Sequence, residues 1–178
     1  MLTRKYRMHP HLPADPAKLP AYCRRMLDIQ VNGLIKRMEY AHLDHCVVGI
    51  SGGVDSTLCV MICAEAVKRM GLPSTNVVAC TLPCFGTSSR TKSNAIIVAE
   101  QVGAEVRVID IGESVYKHFD DIGHAHDDYS IAFENAQARE RTQVLMDIAN
   151  KVNGLDVGTE DLSEFVDGWC TYNGDHTS

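Results

Sequence analysis

The chain has 178 residues, of which 45% are hydrophobic and 22% are charged, and its formal net charge is −6 at pH 7. These values fit one globular α/β domain and argue against nucleic acid as a partner. Since the sequence shows neither a signal peptide nor an apolar run long enough to span a bilayer, we expect a cytoplasmic protein with no membrane partner.

The first 20 residues are basic and contain four prolines, Pro10, Pro13, Pro16 and Pro20. Proline removes a backbone donor and restricts the residue before it, so these residues exclude a long helix. We therefore predict an extended N-terminal arm over residues 1–20, laid over the surface or over a partner. A single domain is predicted over residues 21–178.

Beyond the arm, apolar periodicity and glycine or proline stops predict alternating helices and strands. Predicted helices cover residues 21–42, 56–70, 91–102, 112–119 and 131–152, and predicted strands cover residues 46–50, 77–82, 106–111 and 155–157. The first three strands begin about thirty residues apart, the length of a β-α-β unit. The sequence therefore predicts an α/β fold with a doubly wound parallel sheet flanked by helices.

A polar segment at residues 120–130 separates the last two predicted helices and is the best candidate for a mobile loop. His124 and His126 lie there beside two aspartates and could bind a metal ion. Exposure to solvent explains the same residues, and it is the preferred interpretation.

The seven cysteines form no C-x-x-C pair, and several lie among aliphatic residues of predicted strands and helices. Reduced thiols that pack as small hydrophobic groups are therefore expected. Cys59 and Cys63 are four residues apart and could share a zinc ion, but no nearby histidine completes a site, so packing is favoured.

The stretch from Val47 to Thr57 reads VVGISGGVDST: an apolar strand, a Ser-Gly-Gly turn and the start of a helix. Gly52 and Gly53 permit a sharp bend and a close approach to the backbone. The helix N-terminus then offers unpaired N–H donors, which favours a bound phosphate. The glycine spacing matches neither a Walker loop nor a dinucleotide fingerprint.

The segment SGGVDST resembles the pyrophosphate loop of the ATP pyrophosphatases, which cleave ATP between the α and β phosphates and adenylate a substrate. Two further stretches narrow the resemblance. Residues 134–142 read ENAQARERT and crowd polar groups onto one helix, while residues 158–164 read GTEDLSE and are followed by GWCTY. With both in view, the chain resembles the synthetase portion of NAD synthetase in its glutamine-dependent form, from about Pro13 to Ser178.

The resemblance implies an adenine nucleotide alpha hydrolase-like, Rossmann-like fold and an ATP-dependent amidation of deamido-NAD to NAD, through an adenylated intermediate that releases AMP and pyrophosphate. It also implies ATP and Mg²⁺ as cofactors and a homo-oligomer, with a dimer expected. Ammonia is the nitrogen donor, with a glutamine amidotransferase domain or subunit as a possible source. The residues implied fall into four sets: Asp55 and Ser56 for catalysis; Gly49, Ser51, Gly52, Gly53, Asp55, Ser56 and Thr159 for ATP; Asn135, Arg139, Glu164 and Trp169 for deamido-NAD; Asp55 and Glu164 for magnesium.

The sequence departs from the family pattern at Ser89, Glu160, Asp167 and Thr177, and the family's pattern continues beyond Ser178. Added negative charge at Glu160 and Asp167 is expected to weaken phosphate binding or to shift metal affinity. Two alternatives stay open beside NAD synthesis: a nucleotide-binding or assembly fragment without turnover, and another ATP pyrophosphatase such as GMP synthetase.

Overall fold

Four parallel strands form one sheet in the part of the chain that the computed structural model describes, namely residues 4–5, 7–85 and 89–167, without the side chains of residues 89–93, 165 and 167. The strands are β1 (His45–Gly49), β2 (Val77–Thr81), β3 (Glu105–Val108) and β4 (Gly154–Asp156). Their order is β3-β2-β1-β4, so the first strand of the chain lies inside the sheet.

Six helices of the described residues accompany the sheet: α1 (Leu19–Ala41), α2 (Val54–Arg69), α3 (Ser89–Gln101), α4 (Gly112–Ile122), α5 (Ile131–Val152) and α6 (Leu162–Asp167). Alternate residues of β1 enter two separate cores because successive strand side chains point to opposite faces. Cys46 and Val48 pack with α1, α2 and α3, whereas Val47 packs with α4 and α5. The expected doubly wound sheet, covered on both faces, is confirmed.

The direction of winding reverses at β1, which pairs with β2 on one side and with β4 on the other. The second pairing joins Val47 to Asp156 and continues through a 2.8 Å hydrogen bond from the Val157 N–H to the Val47 carbonyl. Such a reversal leaves a crevice beyond the carboxyl ends of the strands, where open α/β sheets bind their ligands. The chain places its Ser-Gly-Gly turn and residues 157–161 at this crevice.

Most predicted elements are present, with shifted ends. The helix over 131–152 is confirmed at both ends, while α2 begins at Val54 instead of 56 because Gly53 is its N-cap. The helix predicted to end at 119 continues to Ile122, where Gly123 adopts a left-handed φ of 68° and closes it. The short helix α6 has no counterpart among the predicted elements.

The segment before α1 contains a short 3-10 turn at Pro16–Lys18, and α1 itself begins at Leu19, inside the predicted arm. Pro20 is compatible with this start because proline is tolerated in the first turn of a helix. Among the described residues, no helix has both the length and the apolar character needed to cross a lipid bilayer.

Candidate nucleotide-binding site

The turn after β1 has the geometry expected of a phosphate loop. The Ile50 N–H donates to the Cys80 carbonyl at 2.8 Å, which fixes the point where the chain leaves the sheet. Gly52 then adopts a φ of 82°, a left-handed conformation that favours glycine. Gly53 follows as the N-cap of α2, so the sharp bend places a helix N-terminus directly behind the turn.

A network of hydroxyl groups holds this turn in shape. The Ser56 side chain, which is only 3% exposed, lies 3.2 Å from the Ser51 Oγ, accepts from the Ser51 N–H at 3.3 Å and donates to the Gly53 carbonyl at 3.3 Å. Ser51 Oγ also accepts from the Gly53 N–H at 3.2 Å. Because these bonds lie within the turn, the loop is ordered by its own residues.

The first turn of α2 supplies an electropositive end. Thr57 is the first residue whose N–H bonds back into the helix, to the Gly53 carbonyl at 3.1 Å. The N–H groups before it have no partner within the helix, and they add to the positive end of the helix dipole. Asp55 lies in this first turn and is exposed. An anionic group with a bound cation suits this combination of donors and carboxylate.

Gly49 is the last residue of β1 and lies beneath α5. A Cβ atom there would come within 2.9 Å of the Leu145 Cδ1. The described structure therefore gives Gly49 a packing role between strand and helix, in addition to its place just before the loop.

Residues 157–161, which follow β4, form the wall of the crevice opposite the phosphate loop. The Cys59 thiol of α2 lies 3.6 Å from the Gly158 carbonyl and 3.9 Å from the Val157 carbonyl, so this wall packs directly on the helix that follows the phosphate loop. Thr159 and Glu160 follow and are half-buried. Glu160 Oε1 is buried and has no hydrogen-bond partner among the described residues.

Glu164 lies at the start of α6 in a reciprocal capping arrangement. Its N–H donates to Asp161 Oδ1 at 2.8 Å, and its Oε2 accepts from the Asp161 N–H at 3.1 Å. One oxygen of this predicted magnesium ligand therefore has a structural partner. The described residues contain no group of three or more potential metal-binding side chains.

The polar helix α5 contributes side chains of different exposure. Asn135 is half-buried and Arg139 is exposed, whereas Gln137 is buried and donates to the Phe133 carbonyl at 3.0 Å. Arg141 was given no role by the sequence analysis, although it belongs to the ENAQARERT motif. Its Nε donates to the Leu82 carbonyl at 3.3 Å, just past the carboxyl end of β2.

Several predicted residues lie outside the described part of the chain. Trp169, predicted to contact deamido-NAD, is one of them, as are Cys170 and Thr177. The side chains of Ser89 and Asp167 are also outside it, although both residues belong to described helices.

The cysteines that the sequence placed in the core are buried there. Burial raises the pKa of the Cys80 thiol to about 12. Hydrogen bonds to the thiols of Cys46 and Cys59 hold the pKa of Cys63 well above its usual value. Cys46 also donates to the Met38 sulfur at 3.4 Å, so these thiols pack between β1, α1 and α2.

The expected solvent exposure of His124 and His126 is wrong for His124, whose side chain is only 10% exposed. Its ring lies 4.9 Å from the Phe119 ring, and its Nε2 is 3.0 Å from the Asp128 carbonyl oxygen. His126 stacks on Tyr116 at 4.4 Å and contacts Asp120 Oδ1 at 2.9 Å. Aromatic packing on α4 therefore accounts for both rings.

The fold and the loop together define a class, that of doubly wound α/β proteins which present a glycine turn and a helix N-terminus at the topological switch point to bind nucleotide phosphates. The family model described as NAD synthase matches residues 26–178. The chain belongs to the NAD synthase family, as its sequence motifs predicted.

Named relatives agree with this assignment. The glutamine-dependent NAD(+) synthetase of Mycobacterium tuberculosis H37Rv is 40% identical over 182 residues, which cover 99% of this chain and 27% of the relative. The NH(3)-dependent NAD(+) synthetase of Methanococcus aeolicus is 31% identical over 155 residues, 86% of this chain and 59% of the relative. The chain thus spans about a quarter of the length of the glutamine-dependent relatives.

Solved structures show the same fold. Glutamine-dependent NAD+ synthetase from Acinetobacter baumannii, in complex with ADP, aligns with a TM-score of 0.77 and 26% identity over 92% of this chain and 30% of that one. NH3-dependent NAD synthetase from Campylobacter jejuni aligns with a TM-score of 0.75 and 23% identity over 85% of this chain and 62% of that one.

Proposed function

We propose that the chain catalyses the ATP-dependent amidation of deamido-NAD to NAD, with ammonia as the nitrogen donor. The observation that carries the proposal is the position of the Ser51–Ser56 loop, which faces residues 157–161 across the crevice where the sheet reverses direction. Membership of the NAD synthase family and the names of the relatives support the same reaction.

The reaction has two displacement steps. An oxygen of the nicotinate carboxylate attacks the α phosphorus of ATP, and the bond to the pyrophosphate leaving group breaks. Ammonia then attacks the activated carbonyl carbon and AMP leaves, which gives the amide of NAD and one released proton. We assign no covalent nucleophile to the protein, so its contribution is to position the reactants and to stabilise the developing charge.

In this proposal the phosphate loop holds ATP. The backbone around Gly52 and Gly53 and the hydroxyls of Ser51 and Ser56 contact the phosphates, and Asp55 and Ser56 contribute at the reacting end. Gly49 lets the loop leave the sheet close to α5, and Thr159 contacts the nucleotide from the opposite wall. The ADP in the Acinetobacter baumannii relative supports binding of an adenine nucleotide.

Asp55 and Glu164 would hold Mg²⁺. Their chemistry fits the ion, because magnesium in nucleotide sites is commonly bound by one or two carboxylates together with substrate phosphates. When bound, the ion neutralises charge on the departing pyrophosphate. Glu164 keeps its capping bond to Asp161 through Oε2, which orients the carboxylate for this role.

Deamido-NAD would occupy the side of the crevice lined by α5 and α6. Asn135 and Arg139 offer an amide and a guanidinium to a dinucleotide, and Glu164 borders the same space. Trp169 stays a prediction for the pyridine ring. We further propose that the chain self-associates, with a dimer expected, and receives ammonia either free or from a glutamine amidotransferase domain or subunit.

A second candidate is a nucleotide-binding fragment that has no turnover. It is favoured by one observation, that the chain covers 27% of the Mycobacterium tuberculosis relative. This candidate predicts that ATP binds but that no NAD forms.

The deciding experiment measures pyrophosphate release and NAD formation from ATP and Mg²⁺, with deamido-NAD and ammonium added singly and together. The proposal expects both products only when all components are present. In an Asp55→Ala variant we expect release to fall at least about a hundredfold, on the scale of removing a group that stabilises charge in the transition state.

An Asp147→Ala variant is the matched control, because Asp147 is an exposed carboxylate near the C-terminal end of α5 and has no assigned role in the site. It should keep the wild-type rate. Pyrophosphate release that does not depend on deamido-NAD would contradict NAD synthesis. ATP binding by calorimetry without any product would select the second candidate.

A further inference from the structure

Charge is divided unevenly along the chain. Six of the 17 lysines and arginines, but only one of the 23 acidic residues, lie within residues 1–25. The basic residues of this segment are Arg4, Lys5, Arg7, Lys18, Arg24 and Arg25. A strongly basic segment therefore precedes a strongly acidic body, and opposite charges of this size attract when they can meet.

The beginning of the basic segment makes only local hydrogen bonds among the described residues. The Arg7 guanidinium donates to the Leu12 carbonyl at 2.6 Å, and the Ala17 N–H donates to Asp15 Oδ1 at 3.0 Å. Arg4, Lys5 and Arg7 are exposed and form no ion pair with any described residue. Two apolar side chains accompany them, Met8 at 89% exposure and Leu12 at 44%.

An acidic surface lies on α4 and on the loop that follows it. We define it by its five exposed carboxylates: Glu113, Asp120, Asp121, Asp127 and Asp128. Lys117, which pairs with Asp121, is the sole lysine or arginine between residues 110 and 130. Exposed apolar groups border this surface, with Ile122 at 54%, Tyr129 at 77% and Ile131 at 77%. Two more of the carboxylates lie close to histidines, Asp120 at 2.9 Å from His126 and Asp128 at 3.8 Å from His124, whereas Glu113 and Asp127 form no ion pair with a described residue. The acidic surface therefore offers carboxylates to the basic side chains of the arm and apolar groups to Met8 and Leu12.

Within one chain, the helices next to these two features lie on opposite faces of the sheet. The arm leads into α1, which packs with α2 on one face of the sheet, whereas α4 covers the other face. A second copy of the chain can present its acidic surface to the arm without this obstacle. Reciprocal docking of two arms on two acidic surfaces would close a two-fold dimer, the commonest symmetry of homo-oligomers.

We propose that the basic arm of one copy, through its described residues Arg4, Lys5 and Arg7 to Leu12, docks on the acidic surface of a second copy. The inference deepens the self-association proposed above and rests on it. It does not depend on NAD synthesis, because the test below requires neither substrate nor turnover.

The test is sedimentation velocity on the full chain at low and high salt, with three charge-reversal variants. One reverses the arm (Arg4→Glu, Lys5→Glu, Arg7→Glu) and one reverses the acidic surface (Asp121→Lys, Asp127→Lys, Asp128→Lys). The matched control reverses three exposed basic residues elsewhere (Lys36→Glu, Arg37→Glu, Lys151→Glu), with the same change in net charge as the arm variant. Circular dichroism verifies that each variant is folded.

We expect the wild-type chain and the control to associate. High salt or either reversal at the docking sites should raise the dimer dissociation constant at least about tenfold, because surface ion pairs are screened and like charges repel. An equal mixture of the arm variant and the surface variant should associate again, since each reversed site then meets its complement on the other chain. Arm docking within one chain cannot give that rescue.

Three results would overturn the proposal: a monomeric wild-type chain, undiminished association of the arm variant, or absence of rescue in the mixture. If the wild-type chain stays monomeric while its arm binds a DNA duplex or phosphatidylserine vesicles, the arm serves a different class of partner and the proposal is wrong.

Discussion

Ser56 combines burial with contacts to both ends of the phosphate loop. Its hydroxyl meets Ser51 on one side and the Gly53 carbonyl on the other, while the residue itself is 3% exposed. Asp55, one position earlier, is exposed. These adjacent residues of one helical turn therefore have different roles. Ser56 orders the loop, and the Asp55 carboxylate is accessible to a ligand.

Glu160 carries a buried polar atom that the described structure leaves without a partner. Its Oε1 is buried without a hydrogen-bond partner among the described residues, and an unpaired buried carboxylate oxygen costs free energy. We expect Glu160→Gln to raise the free energy of unfolding by about 1 kcal/mol, because the variant removes the charge and keeps the shape. Denaturant titration measures the change.

The same Glu160→Gln variant should bind ATP more tightly, because one negative charge next to the proposed phosphate site is lost. Glu134→Gln is the control, since Glu134 is exposed on α5. A Glu160→Gln protein that is less stable than the wild type would show that the carboxylate has a favourable partner.

Among the local elements, the loop between β1 and α2 depends on a single left-handed residue, Gly52. Gly71 ends α2 with a similar φ, 73° against 82°, and a Cβ there would meet nothing within 4 Å. Alanine at either position should lower the free energy of unfolding by about 1 kcal/mol, the usual cost of a left-handed conformation for a residue with a Cβ.

Comparing Gly52→Ala with Gly71→Ala separates an effect on ATP binding from an effect of backbone strain. Gly52→Ala should in addition weaken ATP binding several-fold in calorimetry, because the turn changes shape, whereas Gly71→Ala should leave the affinity unchanged. Equal affinities in the two variants would contradict the assignment of the turn to phosphate binding.

The elements differ in how much of them the sequence could predict. The helix Ile131–Val152 was predicted at both ends because Ser130 precedes it and Asn153-Gly154 ends it, and these signals are local. The extension of α4 to Ile122 was missed, because Asp120 and Asp121 resemble loop residues although they lie on an exposed helix face. The short helix α6 begins with a capping pair, Asp161 and Glu164, of which only Glu164 was assigned a role, as a site carboxylate.

Features that depend on contacts between residues distant in sequence were not predicted. The SGGVDST motif predicted the phosphate loop because its conformation is set within a few residues. The bond from Arg141 to the Leu82 carbonyl joins residues 59 positions apart, and the packing of His124 on Phe119 depends on how a loop returns to its helix. The strand order also follows from tertiary packing, so the position of β4 beside β1 could not be predicted from periodicity.

At the scale of the whole molecule, the buried thiols make the free energy of unfolding depend on pH in the alkaline range. Burial raises the pKa of Cys80 from 9.0 to about 12. Below pH 9 the thiol is neutral in both states, and above it the unfolded chain loses the proton first. Because the folded state then binds more protons, the free energy of unfolding should fall between about pH 9 and pH 12, by about 1.4 kcal/mol per pH unit from this group.

Urea titrations at several values of pH measure this dependence, and Cys80→Ala isolates the contribution of Cys80 from those of other groups. The variant is expected to be less stable overall and to lose less stability per pH unit above pH 9. If the free energies of unfolding of the wild type and of Cys80→Ala change equally with pH, then Cys80 ionises equally in the folded and unfolded states.

The position of β1 between β2 and β4 also determines when the crevice can exist during synthesis. Residues 45–57 leave the ribosome before β2 and can pair with it about thirty residues later, but Val47 receives its second neighbour only with Asp156. Contacts so distant in sequence form late, since a long loop must close first. A nascent chain that ends before β4 therefore carries the phosphate loop with one wall missing. Nucleotide that binds only when both walls of the crevice are present would stabilise the chain with β4 in place, so ATP affinity would report that β4 has docked.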